Sequence, residues 1–316
     1  MGSDAAASAG SSFNTPRASH PDLPGGIDIL RTQRLAGAAL ISPAVLAIII
    51  VSILPLLLAF GFSLTDFNLL SSPRWVGLRN YAIIVNDPVF WESIRNTLGF
   101  AVSQVGIGIV VVLMVAALFN GYLFGGPLMR TIIYLPQAAS YVVVALIWTM
   151  LLDPAVGPIN RAITATSANP IYFLSDPDWA MPSIVVVSLW RNLGYFMIIV
   201  LAALKSVPAE LLEAAKIDGA GPVRRFFSVS LPTIKGVVSF VAITWFLGAL
   251  QMFTQSYVMT TGGPVNATRT IVYLMYDDAF TNLEIGKACA MAIMLFLLVV
   301  VMSFLLRLVL RPREDR

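Results

Sequence analysis

Polar side chains interrupt two long apolar segments of the sequence at helical spacing. In the first segment, Ser188, Asn192 and Tyr195 fall close to one face of a helix. The candidate binding residues of both segments together are Ser188, Arg191, Asn192, Tyr195, Trp245, Gly248, Gln251, Met252 and Gln255. Amide groups hydrogen-bond hydroxyl groups, and aromatic rings stack on apolar ring faces. The set therefore suits the recognition of a sugar.

Each candidate also has a structural interpretation. Polar groups inside a membrane usually face a bundle interior or a cavity. There the Asn, Gln and Tyr side chains can simply join neighbouring helices, at about 0.6 kcal/mol each. Arg191 could pair with a substrate, extend its head group towards the membrane surface, or neutralise a nearby carboxylate. The sequence alone leaves these alternatives open.

The sequence offers little for catalysis or metal binding. It contains one cysteine, Cys289, and one histidine, His20. This pair can form neither a Cys/His metal site nor a nucleophilic triad. No G-x-x-x-x-G-K-[ST] loop is present to hold a nucleotide. We expect a chain that is not an enzyme and that has no cofactor of its own.

Composition indicates an integral membrane protein. Hydrophobic residues make up 58% of the 316 residues and charged residues 12%, about half the charged share of soluble domains. Continuous apolar runs of ~20 residues predict helices and exclude a barrel of alternating strands. The predicted fold class is all-α integral membrane, with spans near residues 35–64, 96–120, 129–152, 181–204, 236–258 and 286–310. The expected surroundings are a lipid bilayer.

Basic residues predict the orientation of these spans. If the amino terminus is cytoplasmic, 13 of the 20 Lys and Arg residues lie on the cytoplasmic side, 6 lie outside, and Arg191 lies within a span. Basic residues cluster at helix ends, so the positive charge gives no indication of nucleic acid. The predicted division is a disordered cytoplasmic tail at 1–34, a transmembrane domain at 35–310 and a cytoplasmic tail at 311–316.

The cytoplasmic loop between the fourth and fifth spans has a readable local structure. Ser206 can cap a helix whose first turn suits Pro208. Glu210 and Glu213 follow early in that helix, where negative charge stabilises the positive end of the dipole. Gly219 can adopt the left-handed conformation that ends the helix. The loop is therefore predicted to begin with a short helix and a sharp turn.

The same loop presents a surface suited to contact with another molecule. Pro222 is predicted to start a second short helix after the turn. Leu211, Leu212 and Ala215 lie close to one face of the first helix. Small residues and an apolar edge suit docking into a groove of a partner protein. An amphipathic helix lying on lipid head groups is the alternative.

The spacing of this loop resembles a known motif. The loop contains, in order, Glu213-Ala214-Ala215, three residues, Gly219, nine residues, Val229, one residue and Leu231-Pro232. This pattern resembles the signature loop of binding-protein-dependent ABC importer permeases. The one departure is Val229, where isoleucine is commoner. The resemblance implies a helix that docks into an ATPase subunit. Its implied coupling residues are Glu213, Ala214, Ala215, Asp218, Gly219, Arg224, Leu231 and Pro232.

Further segments resemble the sugar-importing branch of that family. They are residues 75–81, 87–91, 96–97 and 261–264. The chain lacks the additional amino-terminal spans of the larger maltose-type subunit, and is similar in plan to six-span permeases for disaccharides, amino sugars or glycerol phosphate. Ala249 stands where the maltose-type pattern has a polar residue, which argues against maltose itself.

The resemblance implies the permease subunit of an ATP-binding-cassette importer in a bacterial cytoplasmic membrane, with both termini cytoplasmic. It implies a heterodimer in which this chain and a second permease together form the translocation pathway. It also implies two ATPase subunits that hold ATP and Mg²⁺, and an extracytoplasmic binding protein that delivers a sugar or sugar derivative. The alternative is a secondary transporter or channel. That class would need acidic relays within the spans, and the acidic residues lie in loops or at span ends.

Overall fold

The computed structural model describes residues 26–121 and 126–309. Within them all regular secondary structure is helical, and extended pairing is limited to an isolated bridge between Thr65 and Trp75. The predicted all-α class is confirmed. Residues 1–25 and 310–316 lie outside the described part, so the predicted disorder of residues 1–25 and the predicted tail at 311–316 stay predictions, whereas residues 26–34 of the predicted tail are helical. The first helix begins at Gly26, ahead of the predicted span.

The described chain contains fourteen α-helices. In chain order they are α1 (Gly26–Ile48), α2 (Leu54–Ser63), α3 (Arg79–Val85), α4 (Pro88–Asn120), α5 (Gly126–Ala138), α6 (Tyr141–Leu151), α7 (Pro158–Thr164), α8 (Pro177–Lys205), α9 (Ala209–Ile217), α10 (Pro222–Arg225), α11 (Leu231–Thr233), α12 (Lys235–Leu250), α13 (Ile271–Tyr276) and α14 (Ile285–Val309). Wider π-helical turns occupy Ile49–Ile53, Phe226–Ser230, Ser256–Thr260 and Asp277–Thr281.

Four helical stretches of the described chain are long and apolar enough to cross a membrane. They are Ala39–Ser63, Pro88–Asn120, Pro177–Lys205 and Ile285–Val309. Two bent pairs qualify if each counts as one span: Gly126–Ala138 with Tyr141–Leu151, at 99°, and Pro222–Thr233 with Lys235–Leu250, at 72°. The count of four to six agrees with the predicted architecture.

The chain divides at Leu56 into two compact units. In the first unit, every side chain from Ala39 to Leu56 is exposed, and nearly all of them are apolar. A helix that is apolar on all sides is typical of a membrane span. The second unit, from Leu57 onwards, holds the packed core and both candidate sites.

The third predicted span is broken rather than continuous. Pro136 lies inside α5, which ends at Ala138, and the Ser140 hydroxyl then accepts a hydrogen bond from the backbone N–H of Val143 to begin α6. A proline removes a helical hydrogen bond and crowds the preceding turn. Two short helices at an angle of 99° therefore stand where one continuous span was predicted.

Helix α8 forms the centre of the second unit, where it packs against α4, α5 and α12. Ile184, Met197 and Val200 are fully buried on it. Gly194 permits the close approach of α5, because an added side chain there would overlap the backbone of Ile133. This packing fixes which residues of the four helices meet.

Candidate functional site

A cavity of about 140 Å³ lies among α4, α6, α8, α12 and the segment that follows α12. Its lining combines amides, hydroxyls and aromatic rings, and none of its side chains is charged. The lining residues are Phe100, Gln104, Tyr141, Asn192, Trp245, Gly248, Ala249, Gln251, Met252, Phe253, Thr254 and Gln255. This chemistry matches the predicted recognition of hydroxyl groups and sugar rings.

Six of the nine predicted pathway residues line this cavity. They are Asn192, Trp245, Gly248, Gln251, Met252 and Gln255. Ser188 lies outside the lining and is fully buried, where its hydroxyl oxygen accepts a hydrogen bond of 3.4 Å from Gln255 Nε2. The part that the six residues play in transport stays a prediction.

Tyr195 was predicted to share a face with Asn192, but only Asn192 lines the cavity. Tyr195 is 41% exposed and packs edge-on against Phe196, away from the cavity lining. Three residues advance an α-helix by about 300°, so the two positions differ by about 60° around the axis. That difference turns Tyr195 out of the cavity.

Arg191 contacts the broken third span, which none of its three sequence-based interpretations anticipated. Its guanidinium donates hydrogen bonds to the backbone oxygens of Gln137, at 3.3 Å, and Ala139, at 3.0 Å. It also donates to Gln137 Oε1 at 3.0 Å. Helix ends leave carbonyl groups without intrahelical partners, and a cation stabilises them. Arg191 is buried and forms no ion pair within the described chain.

Tyr141 links this arginine to the cavity. The Arg191 guanidinium lies 3.7 Å from the centroid of the Tyr141 ring. The Tyr141 hydroxyl donates to Asn192 Oδ1 at 2.9 Å. Because the oxygen of Asn192 is engaged in this way, Asn192 can offer its NH2 group to the cavity.

Two buried polar atoms of the cavity residues lack hydrogen-bond partners among the described residues. Gln104 is 1% exposed and donates from Nε2 to the Val185 carbonyl at 2.8 Å, while its Oε1 is unpaired. Trp245 is 3% exposed and its ring stacks on Phe196 at 4.2 Å, while its indole N–H is unpaired. Buried polar groups without partners are rare and often functional.

Sequence reasoning did not select Phe100, Gln104 and Tyr141 as site residues. Phe100 packs in the hydrophobic core and also lines the cavity. Gln104 did carry a signal, since a primary amide well inside an apolar span is costly. Tyr141 carried none, because its position depends on the bend before α6.

The predicted helix and turn of the cytoplasmic loop are present. Helix α9 ends at Ile217, and the expected left-handed glycine, Gly219, follows its C-cap Asp218 with a φ of 78°. The N–H of Gly219 donates to Lys216 O at 3.1 Å, and that of Ala220 donates to Ala215 O at 2.9 Å. These two bonds form the Schellman arrangement that closes a helix with a left-handed glycine.

The predicted cap of α9 is wrong. Ser206 terminates α8 instead, and its hydroxyl donates to the Ala203 carbonyl at 2.8 Å. Helix α9 begins after Pro208 with no side-chain cap. Because α8 continues to Lys205, its unpaired final carbonyl groups are the nearer partners of Ser206.

The loop exposes the residues that the motif singled out. Glu213, Ala214, Asp218, Gly219, Arg224 and Pro232 are exposed, and Ala215 and Leu231 are half-buried. Leu212 packs against the core, whereas Ile217, Val223 and Phe227 are 87%, 70% and 62% exposed. An apolar surface of this kind marks an interaction site when it is contiguous.

At the far end of α12 from this loop, the chain is held by polar contacts. Arg269 forms an ion pair with Asp277 at 3.2 Å. Burial raises the pKa of the nearby Tyr273 hydroxyl, and the Asp277 carboxylate adds to this shift. Asn96 Nδ2 donates to the carbonyls of Asn266, at 2.8 Å, and Arg269, at 3.1 Å, which ties the loop after span five to α4.

The fold is shared with solved transporters. A chain of a bacterial ABC transporter involved in the import of the acidic polysaccharide alginate superposes with a TM-score of 0.80 at 23% identity, covering 91% of this chain and 98% of that one. A second structure of an alginate transporter, in complex with a pentasaccharide-bound periplasmic protein, gives a TM-score of 0.78 at 22% identity. These similarities concern the fold alone.

Sequence comparison identifies the family. The permease protein UgpA of the sn-glycerol-3-phosphate transport system of Yersinia pestis is 37% identical over 72% of this chain and 78% of its own length. The probable permease AmyD for starch degradation products of Thermoanaerobacterium thermosulfurigenes is 31% identical over 87% and 93%. The family model "Binding-protein-dependent transport system inner membrane component" matches residues 104–313. The chain therefore belongs to this family of multi-pass inner-membrane permeases, which are transport proteins and not enzymes.

Proposed function

We propose that this chain, a sugar-importer permease by family, carries a sugar or sugar derivative through the cavity of α4, α6, α8 and α12. One observation carries the assignment: residues distant in sequence meet at a single uncharged cavity rich in amides and aromatic rings. The family match argues against the secondary transporter or channel considered from the sequence. The named relatives transport substrates of different charge, so the family leaves the substrate's charge open.

We infer that the cytoplasmic loop couples this cavity to ATP hydrolysis on separate subunits. The proposed assembly is a heterodimer with a second permease, two ATPase subunits that hold ATP and Mg²⁺, and an extracytoplasmic binding protein. Both termini and α9 would then lie in the cytoplasm. The coupling residues are Glu213, Ala214, Ala215, Asp218, Gly219, Arg224, Leu231 and Pro232.

The exposed surface of the loop supports this role. Ile217, Val223 and Phe227 present apolar area that an ATPase groove would bury. Helix α9 also contacts the turn Phe226–Ser230, which leads through α11 into α12. A displacement of α9 would therefore be transmitted to α12, the helix that carries Trp245. An ATPase can shift the equilibrium between two conformations of the permease only if its contacts with the two conformations differ in free energy.

Uptake by the reconstituted complex tests the cavity. We expect Asn192→Ala and Gln251→Ala to raise the KM for sugar uptake, because each variant removes an amide from the lining. Ile198→Ala, on an exposed position of the same helix α8, is the control and should leave uptake unchanged. Normal uptake in both amide variants would overturn the cavity as the pathway. Impairment in Tyr195→Ala alone would place the pathway beside Tyr195 rather than at this cavity.

A further inference from the structure

We infer that the cavity selects an uncharged, polyhydroxylated substrate and excludes phosphorylated or carboxylated sugars, an inference that rests on the proposed function. Every lining residue is uncharged. Moving an anion from water into a low-dielectric site without a cation is costly. Charged groups within membrane-spanning segments accordingly pair or mark sites for ions. A cavity made for an anion would therefore present a lysine or an arginine.

Arg191, the cation closest in sequence to a lining residue, is already engaged. Its Nε and both terminal nitrogens donate to Ala139, Gln137 or the neighbouring Asn192. One face of the guanidinium also covers the Tyr141 ring. The charge faces carbonyl oxygens at the end of α5, where the helix dipole is negative. An anionic substrate would have to compete with these contacts.

The two unpaired atoms point to a hydroxyl group as the ligand. Gln104 Oε1 needs a donor and the Trp245 indole N–H needs an acceptor, and both atoms are shielded from solvent in this conformation. A hydroxyl group can donate to the first and accept from the second. A phosphate or carboxylate oxygen can only accept, so it would repel Gln104 Oε1. A sugar hydroxyl group bound in the cavity is therefore the proposed partner of these atoms.

The charge preference is tested with the full complex and its binding protein in proteoliposomes. The probes are labelled trehalose, cellobiose and sucrose, with glycerol 3-phosphate and digalacturonate as anions. We expect uptake of an uncharged probe that an excess of the anions does not reduce. Uptake of an anionic probe would overturn this inference and leave the proposed function intact. No uptake of any probe, together with no stimulation of ATP hydrolysis, would overturn both.

Two variants test the unpaired atoms. Trp245→Phe keeps an aromatic ring against Phe196 and removes the N–H, and Gln104→Leu removes the acceptor. We expect each to raise the KM for the uncharged sugar by about 3- to 10-fold, the usual worth of one hydrogen bond. Trp190→Phe on an exposed part of α8 is the matched control. An unchanged KM in a Trp245→Phe complex of normal thermal stability would overturn the pairing of these atoms with substrate.

Discussion

The indole ring of Trp245 fills the space that a side chain at Gly108 would occupy, so α4 and α12 touch at this point. We expect Gly108→Ala to displace the ring, with an overpacking cost of about 1–3 kcal/mol. Because Trp245 lines the cavity, sugar uptake should fall as well. Gly106→Ala on the same helix adds its methyl group to open space and is the control. The two variants should therefore differ in thermal stability and in uptake. Equal stability and equal uptake in both would contradict this packing.

Arg191 is expected to stabilise the broken span rather than to bind substrate. Arg191→Met leaves the carbonyls of Gln137 and Ala139 without their donor, at a cost of about 1.5–3 kcal/mol for a charged hydrogen bond. Arg191→Lys should recover only part of this stability, because an ammonium group cannot reproduce the planar fork. Thermal unfolding in detergent is the measurement. Normal stability combined with lost uptake in Arg191→Met would indicate a direct role in transport.

Two substitutions at Gly219 can distinguish the effect of backbone strain on ATP hydrolysis from the effect of blocked docking to the ATPase. Its φ of 78° costs any other residue about 1–2 kcal/mol, yet among the described residues no atom lies within 4 Å of an added Cβ. Gly219→Ala and Gly219→Trp therefore carry similar strain in the free chain, and only the bulky variant should block docking. We expect Gly219→Trp to lose substrate-stimulated ATP hydrolysis and Gly219→Ala to retain most of it.

The control for this pair is Gly221→Ala, at a position of ordinary φ that is equally open. It should leave stimulated hydrolysis unchanged. Wild-type stimulated hydrolysis and uptake in Gly219→Trp would show that the loop is not the coupling element.

Acidic pH should loosen the turn between Thr65 and Trp75. The backbone N–H of Arg74 donates to Asp66, and together with the Arg74 guanidinium it lowers the pKa of this carboxyl from its ordinary value of 3.8. A lowered folded-state pKa gives stability that is present above pH 3.8 and is lost as the pH falls through the folded-state value.

Hydrogen exchange of residues 64–77 should therefore accelerate below pH 3.8 after correction for intrinsic rates. Asp66→Asn should lose this pH dependence, because its side chain does not titrate. Asp153→Asn is a comparison at a separate turn, where the carboxyl accepts from Ala155 and Val156 and its pKa is also lowered. The same pH response in the Asp66→Asn protein would contradict the assignment.

Local sequence determined the membrane class, the helical architecture and the shape of the loop. Apolar runs of ~20 residues predict spans whatever surrounds them, because backbone groups in lipid must bond within their own helix. Gly219 ended α9 as predicted, since the left-handed conformation is a property of the residue itself. The loop motif likewise needed only spacing along one short segment.

Tertiary packing decided which side chains meet. Spacing along α8 suggested that Asn192 and Tyr195 act together, but the cavity forms where α4, α6 and α12 meet α8, and Tyr195 faces elsewhere. Arg191 found its partners at the end of α5 only because the third span bends there. Helical periodicity reports the face of one helix, whereas a site depends on the partners opposite that face. Contacts such as Gly108 with Trp245 set those partners across the bundle, and no local pattern encodes them.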